Sequence, residues 1–351
     1  MGGHELVVIQ YRDLERRDSD LAAEVERAFG PGGLGIVGIA GVPGLVEKRS
    51  ALLPLAERFA NAPEAVRRAC EDPVSFYNFG WSHGVETLED GKPDSLKGSY
   101  YANPLHDVPT DDPDLIARYP SYCRPNVWPA EAMPELRSAF MDLGGLMCEV
   151  GAMVAFHCDL FVSNKGAASG MSLEGVLRAS RCAKGRLLHY FPSAPEAGGE
   201  EDPAAWCGWH KDHGSLTGLT SAVYMRGGEA VSCPDPEAGL YIRTRTGEEV
   251  RVAIPADHLA FQLGEASQIH TGGLLRATPH YVRTPTLGAE DLSRSTFAVF
   301  MQPQWDVPMA PPPSARAGDV GVEQWEEGDD FGGFTHRTLT LSTGGAKRSL
   351  T

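Results

Sequence analysis

The sequence predicts a mainly β protein with flanking helices, in which a double-stranded β-helix (jelly-roll) core is braced by one long helix. Two features carry that expectation. From Gly185 onward, short apolar runs recur with Gly, Pro and Asp between them: RLLHYF, SLTGLTSAVYM, GLYIRT, EEVRVAI, HLAFQL, HYVRT and STFAVFMQ. Strands of that length and spacing read as an antiparallel all-β core. Ahead of them, Ala130 to Val162 sets Leu136, Phe140, Leu143, Met147, Val150, Val154 and Phe161 on three- and four-residue steps. That is the period of a helix burying one face, so it should lie against a sheet and carry no chemistry. His157 on this helix reads as a core or surface histidine.

The other elements follow in order. Leu6 to Tyr11 is a β-branched run that reads as a strand, and Ser19 can cap a helix from Asp20 to about Phe29 that stops at Gly30. Gly35 to Val42 reads as a second strand. Leu45 to Asn61 is helical with Pro54 as a kink or break, and Pro63 opens a short helix through about Glu71. Phe76 to Pro109, rich in Tyr, Asn, Gly and Pro, reads as a long irregular loop of the kind that lines or covers a site. Arg245 to Glu248 is a tight hairpin turn. Beyond Pro303 the chain turns Pro-, Gly- and acid-rich, which predicts a tail with one or two short ordered pieces and a mobile end. No linker divides the chain. We therefore expect 1–180 to be a mixed α/β and helical region packed on the barrel, 181–303 the jelly-roll core and 304–351 a partly mobile tail.

Composition narrows the function. Lysine and arginine total 31 against 47 acidic residues in 351, a formal charge of -16. That field repels nucleic acid and anionic membrane surfaces, and any anionic cosubstrate would need a dedicated arginine in its pocket. The seven cysteines are scattered without a CxxC pair, which fits a reducing compartment. With no targeting segment and no long apolar run, a cytoplasmic, monomeric protein acting on a small molecule is expected.

The chemistry is carried by WHKDHGSLT at 209–217. On a strand, His210 and Asp212 project to one face, two ligands offered to one metal ion. Imidazole nitrogen and carboxylate oxygen suit Fe(II), Mn, Co or Zn, and two histidines with one carboxylate leave coordination positions open. His258, His270 and His280 are candidates for the third ligand, all in strand-like segments.

Residues 257–282, DHLAFQLGEASQIHTGGLLRATPHYV, resemble the C-terminal signature of the Fe(II)/2-oxoglutarate-dependent oxygenases of the isopenicillin-N-synthase-like, plant type. Gly264-Glu265 stands where that family has Gly-Asp, Thr271-Gly272-Gly273 where it has Ser-Asn-Gly, and His280-Tyr281-Val282 where it has His-Arg-Val. The resemblance makes His280 the distal ligand and leaves His270 as a packing residue. Upstream, WHKDHGSLTGLT resembles the family's His-Thr-Asp segment, GLYI at 239–242 its Gly-Leu-Gln-Val, and residues 32–48 its segment before an early helix. The likeness runs from about residue 6 to about 303, strongest between 206 and 300.

The resemblance also implies a cosubstrate pocket. Arg294-Ser295-Thr296 fits the family's Arg-x-Ser pair with threonine for serine, and His189-Tyr190-Phe191-Pro192 resembles its Asn-Tyr-Tyr-Pro run. Arg294, Thr296, Tyr190 and His189 would then hold 2-oxoglutarate, arginine being suited to a carboxylate by its planar fork. Arg276 and Arg283 are read as surface charges. Phe76, Tyr77, Tyr100, Tyr101 and Asn103 are the expected substrate-pocket residues, since family members close their sites with such segments. The implied cofactors are Fe(II), 2-oxoglutarate and O2, and the implied reaction is hydroxylation or desaturation of a small molecule. The alternatives are a same-fold iron oxidase that does not use 2-oxoglutarate, a non-catalytic jelly-roll binding protein, and a zinc hydrolase with Glu265 as base.

Overall fold

Strand register decides which side chains this chain turns inward. The computed structural model describes residues 5–85, 95–167, 171–192, 205–286, 288 and 291–342. The strands are β1 (Val7–Gln10), β2 (Ile36–Ala40), β3 (Gly80–His83), β4 (Lys97–Ala102), β5 (Lys184–Tyr190), β6 (Ala205–His210), β7 (Leu216–Thr220), β8 (Val223–Arg226), β9 (Glu229–Val231), β10 (Gly239–Arg243), β11 (Glu249–Val252), β12 (His258–Leu263), β13 (His280–Arg283) and β14 (Ser293–Met301). A 10-stranded sheet runs β1-β2-β12-β7-β14-β5-β4-β3, with the β8–β9 hairpin joined through β14. A 4-stranded sheet runs β11-β10-β13-β6. Apart from the parallel β1–β2 pair, these pairings are antiparallel.

The two sheets face each other. Ile36, Ile242, Val252 and Ala260 form one shared apolar cluster between them. Along β14, Arg294, Thr296, Ala298 and Phe300 point into the space between the sheets. The alternate positions point the other way, as a period of two demands: the Phe297 ring meets Phe140 edge-on at 4.8 Å, and the Met301 sulfur lies against Gly151. Phe140 and Gly151 belong to the helix Glu135–Asn164, which lies across the back of the large sheet. Gly151 is required there, because an added Cβ would sit 2.3 Å from that sulfur. The helix is long and apolar enough to cross a membrane by length and composition, but 61% of its most apolar window is buried in protein. His157 on it is buried, and its Nε2 is 2.9 Å from the Leu14 carbonyl, a core role.

Several expectations change. The stretch from Phe76 is not one long loop: β3 and β4 pair within it and extend the large sheet past β5. Asn78, Gly84 and Asn103 flank the two short strands, while Gly80 and Gly98 lie within them. Ser19 does not cap the helix Ala22–Phe29: Leu21 is at the N-cap position without a side-chain capping bond, and Asp20 Oδ1 accepts the Ala22 N–H at 3.2 Å just ahead of it. Pro54 neither ends nor divides the helix Leu45–Ala60. His270 closes the short helix Glu265–His270 rather than lying on a strand, buried with its Nε2 3.1 Å from the Pro308 carbonyl.

The segment after Pro303 is tied down. Met309, Val320, Phe331 and Phe334 pack with Ala266 and Ile269 into a separate small core. Helices Ala317–Val320 and Phe331–Ser342 lie in this stretch. The expected mobile end, 343–351, lies outside the described residues.

Candidate metal centre

β6 and β13 run side by side, and the register sets His210 directly opposite His280. One extra residue on β6 between Cys207 and His210 breaks the ladder there, a bulge of the kind that re-aims a side chain at a sheet end. The two imidazole rings lie 4.2 Å apart between centroids. Asp212 is not on the strand: β6 ends at His210 and the chain turns before β7. It reaches the same point from that turn, so the two side chains converge for a reason other than strand parity. One ligand atom from each of His210, Asp212 and His280 lies within 4.8 Å of the others.

Hydrogen bonds orient the set. His210 Nδ1 is 2.8 Å from the Gly208 carbonyl and His280 Nδ1 is 3.4 Å from the Thr278 carbonyl. A carbonyl only accepts, so each Nδ1 carries the proton and each Nε2 keeps its lone pair for a metal. The Thr217 hydroxyl donates to Asp212 Oδ2 at 2.6 Å. Asp212 Oδ1 stands 3.7 Å from His210 Nε2.

Burial is graded across the centre. His280 is 6% exposed and Asp212 9%, whereas the His210 side chain is 40% exposed, so the centre opens on the His210 side. Burial pushes the His280 pKa down to about 4, with Asp212 opposing, which keeps this ring neutral at ordinary pH. Burial alone would raise the Asp212 carboxyl, but His280, His210 and the Thr217 hydroxyl together bring it below its usual value. Two imidazoles and one carboxylate form the donor set of a 2-His-1-carboxylate metal site, and these residues fit a divalent iron.

From the centre a cavity of about 110 Å³ runs between the sheets. Arg294, Thr296 and Tyr190 line it. The Arg294 guanidinium lies 5.1 Å over the Tyr190 ring, and on its other side the register sets Tyr224 opposite it. His189 does not reach this cavity. Neighbours on a strand face opposite ways, so once Tyr190 faces in, His189 faces out, where its Nδ1 is 3.2 Å from Ser295 Oγ. That corrects its expected contact with a cosubstrate.

Of the expected substrate residues, four stand elsewhere and Tyr101 faces the interior. Tyr100 is buried on the helix side of β4 and donates its hydroxyl to the Val127 carbonyl. Asn103 is spent on structure: it donates to the Arg181 carbonyl and accepts from the Leu105 and His106 amides. Phe76 and Tyr77 form a left-handed turn and do not line the cavity. Tyr101 lies on the interior face of the sheet, paired with Arg186 on β5. Arg186 and Thr217 both line the cavity and were not singled out in the sequence. The parity of β5 would have found Arg186, since it shares a face with Tyr190.

Similarity to known proteins agrees with this geometry. No protein-family model matches the chain. Scopoletin 8-hydroxylase of Arabidopsis thaliana is 22% identical over 273 residues, a match that covers 77% of this chain and 63% of that relative. A Caulobacter crescentus structure described as a 2OG-Fe(II) oxygenase family protein superposes with a TM-score of 0.70 at 19% identity, covering 96% of this chain and 99% of that one. A full-length Neurospora crassa protein, solved in complex with alpha-KG, gives a TM-score of 0.68 at 19% identity, covering 95% of this chain and 96% of that one. The fold is that of the 2-oxoglutarate- and Fe(II)-dependent oxygenases.

Proposed function

We propose that this chain is a non-haem Fe(II)- and 2-oxoglutarate-dependent oxygenase of the isopenicillin-N-synthase-like branch, oxidising a small organic molecule as 2-oxoglutarate is converted to succinate and CO2. The convergence of His210, Asp212 and His280 at the mouth of a cavity that also holds Arg294 carries this reading. Residues 181–303 make its jelly-roll core, β1 to β4 extend the large sheet of that core, and the protein works as a cytoplasmic monomer.

His210, Asp212 and His280 hold the metal, and Thr217 fixes the free oxygen of the carboxylate so that the other can ligate. Arg294 pairs with the far carboxylate of 2-oxoglutarate, with Thr296 and Tyr190 beside it. Iron with bound 2-oxoglutarate supplies the O2 activation and C–H oxidation, and the protein supplies ligation and orientation. Leu188, Leu219, Val282 and Phe300 keep the intervening wall apolar, which strengthens the charge pairing at both ends.

The test is an anaerobic titration of the apo-protein with Fe(II) and then 2-oxoglutarate, following the visible charge-transfer band of the chelate. A saturable band that His280→Ala abolishes is the expected result. Iron binding without a band would point to a same-fold oxidase that dispenses with 2-oxoglutarate, and no iron binding to a non-catalytic binding protein.

A further inference from the structure

The β8–β9 hairpin is joined to the large sheet at the cosubstrate arginine. Its strands turn through Gly227 and Gly228, both at positive φ, and β8 pairs with the first residues of β14. That pairing places Tyr224 directly opposite Arg294, while β5 places Tyr190 opposite it on the other side. Residues directly opposite one another in neighbouring strands share a face, so Tyr190, Arg294 and Tyr224 form one inward row.

Packing agrees with register. Tyr224 is half-buried against a cluster of Leu188, Tyr190 and Ala298, with Leu219, Val282 and Phe300 beside it. Those neighbours line the cavity and Tyr224 does not. It therefore stands behind the Arg294 guanidinium and acts on a ligand only through it.

Hydrogen bonds give the contact a direction. The Tyr224 hydroxyl bonds to the side chains of both Arg294 and Cys233. A guanidinium only donates, so the phenol oxygen accepts from Arg294 and its own proton is left for the Cys233 sulfur. The Cys233 thiol donates in turn to the Asp235 carbonyl at 3.2 Å. Asp235 is buried, and its carboxylate accepts the Thr286 N–H at 2.7 Å and the Glu237 N–H at 2.9 Å. The relay thus ends on a fixed loop. Burial pushes the Tyr224 pKa up, with Arg294 opposing, and the hydroxyl keeps its proton at ordinary pH.

An arginine without such support samples many rotamers, and ordering it when a ligand arrives weakens binding. Here the guanidinium lies over the Tyr190 ring at 5.1 Å and donates to the Tyr224 oxygen, so two tyrosines hold it from different sides. We infer that Tyr224 is a positioning residue of the cosubstrate site, fixing the Arg294 guanidinium where the far carboxylate of a 2-oxo diacid meets it. This rests on the oxygenase reading above and gives the β8–β9 hairpin a part in cosubstrate binding.

The experiment titrates the anaerobic Fe(II) protein with 2-oxoglutarate and with 2-oxopentanoate, which has the same chain length and no far carboxylate, and follows the visible charge-transfer band. In Tyr224→Phe the 2-oxoglutarate affinity should fall roughly three- to tenfold, as for losing one hydrogen bond. Binding of 2-oxopentanoate and of Fe(II) should not change, a split that a general loosening of the fold would not produce. Cys233→Ser keeps a group that both accepts and donates, and should bind both acids as wild type does. Cys233→Ala breaks the relay beyond the phenol and should cost 2-oxoglutarate affinity, though less than Tyr224→Phe. Wild-type 2-oxoglutarate affinity in Tyr224→Phe, or an equal loss for 2-oxopentanoate, would overturn the inference. If that variant does not fold, Cys233→Ala decides, and wild-type affinity there overturns it. Wild-type protein that holds the two acids equally would remove Arg294 from the cosubstrate site and Tyr224 with it. No band with either acid would instead overturn the oxygenase reading.

Discussion

The Thr217 hydroxyl lies 2.6 Å from Asp212 Oδ2, so β7 holds the carboxylate that the turn after β6 presents. Thr217→Val keeps the shape and removes the donor. Partners of this kind are worth roughly 10- to 100-fold in metal affinity. We expect Fe(II) affinity to fall in that range with the fold intact, measured by anaerobic titration, and unchanged affinity would show that Asp212 is oriented by other means.

His210→Ala, Asp212→Ala and His280→Ala should each abolish Fe(II)-dependent turnover. The three ligand atoms converge within 4.8 Å, and two ligands cannot complete that face. Full activity in any one variant removes that residue from the set.

Arg294→Ala should weaken 2-oxoglutarate binding by roughly tenfold or more, as expected for losing a charge-assisted pair. Fe(II) affinity should stay nearly constant, because Arg294 sits at the Tyr190 end of β14 and Thr217 pairs with Phe300 near the other. An equal loss of iron affinity would mean that this arginine supports the metal and not the cosubstrate.

Gly264 follows β12, where its N–H donates to the Ser215 carbonyl. An added Cβ would lie 2.0 Å from the Gly214 carbonyl oxygen and 3.1 Å from that of Asp212. Gly264→Ala must therefore push back the turn that carries Asp212, the proposed ligand. Overpacking of this kind costs about 1–3 kcal/mol, and we expect Fe(II) affinity to fall further than the melting temperature alone would suggest. A variant with wild-type affinity would show that the turn yields freely.

Lys184 gives stability a pH dependence. Its ammonium is buried, donates to the Asn78 and Ser121 carbonyls at 2.7 and 3.0 Å, and lies 3.4 Å above the Phe79 ring. Burial pushes its pKa down to about 7, from an ordinary lysine value near 10.5. Between those two values the unfolded chain binds the extra proton, so stability rises with pH. Below about pH 7 both states are protonated and the cost of the buried charge is fully present. Denaturant unfolding of wild type against Lys184→Met, from pH 6 to 10, should show wild type gaining on the variant as pH rises. A constant difference would mean that the carbonyls and ring hold the charged form as well as water does.

Much of this was legible because strands repeat every two residues and ligands are chemically distinctive. The run from Arg186 to Phe191 announced a strand, and His210 with Asp212 announced a pair that the structure brings together with His280. What was missed turns on parity and place. Reading Tyr190 and His189 as joint ligands asked adjacent strand residues to face one way, which the Ser295 partner of His189 rules out. Tyr100 was assigned to a pocket because β3 and β4 are too short for alternation to stand out among glycines. No local signal shows that Tyr101 sits beside Arg186, because the pairing joins residues 85 positions apart (186 − 101).

β2 lies between β1 and β12, with Ala40 opposite His258. During synthesis the ribosome makes 218 residues (258 − 40) before that neighbour exists, and pairing across such a distance folds slowly. Gly35 at the edge of β2 accepts the Leu263 N–H next to the turn that holds Asp212. The earliest strands thus wait for β12, and the turn that carries Asp212 gains this support only after Leu263 has been made. The three candidate ligands cannot converge until the chain has been made through His280.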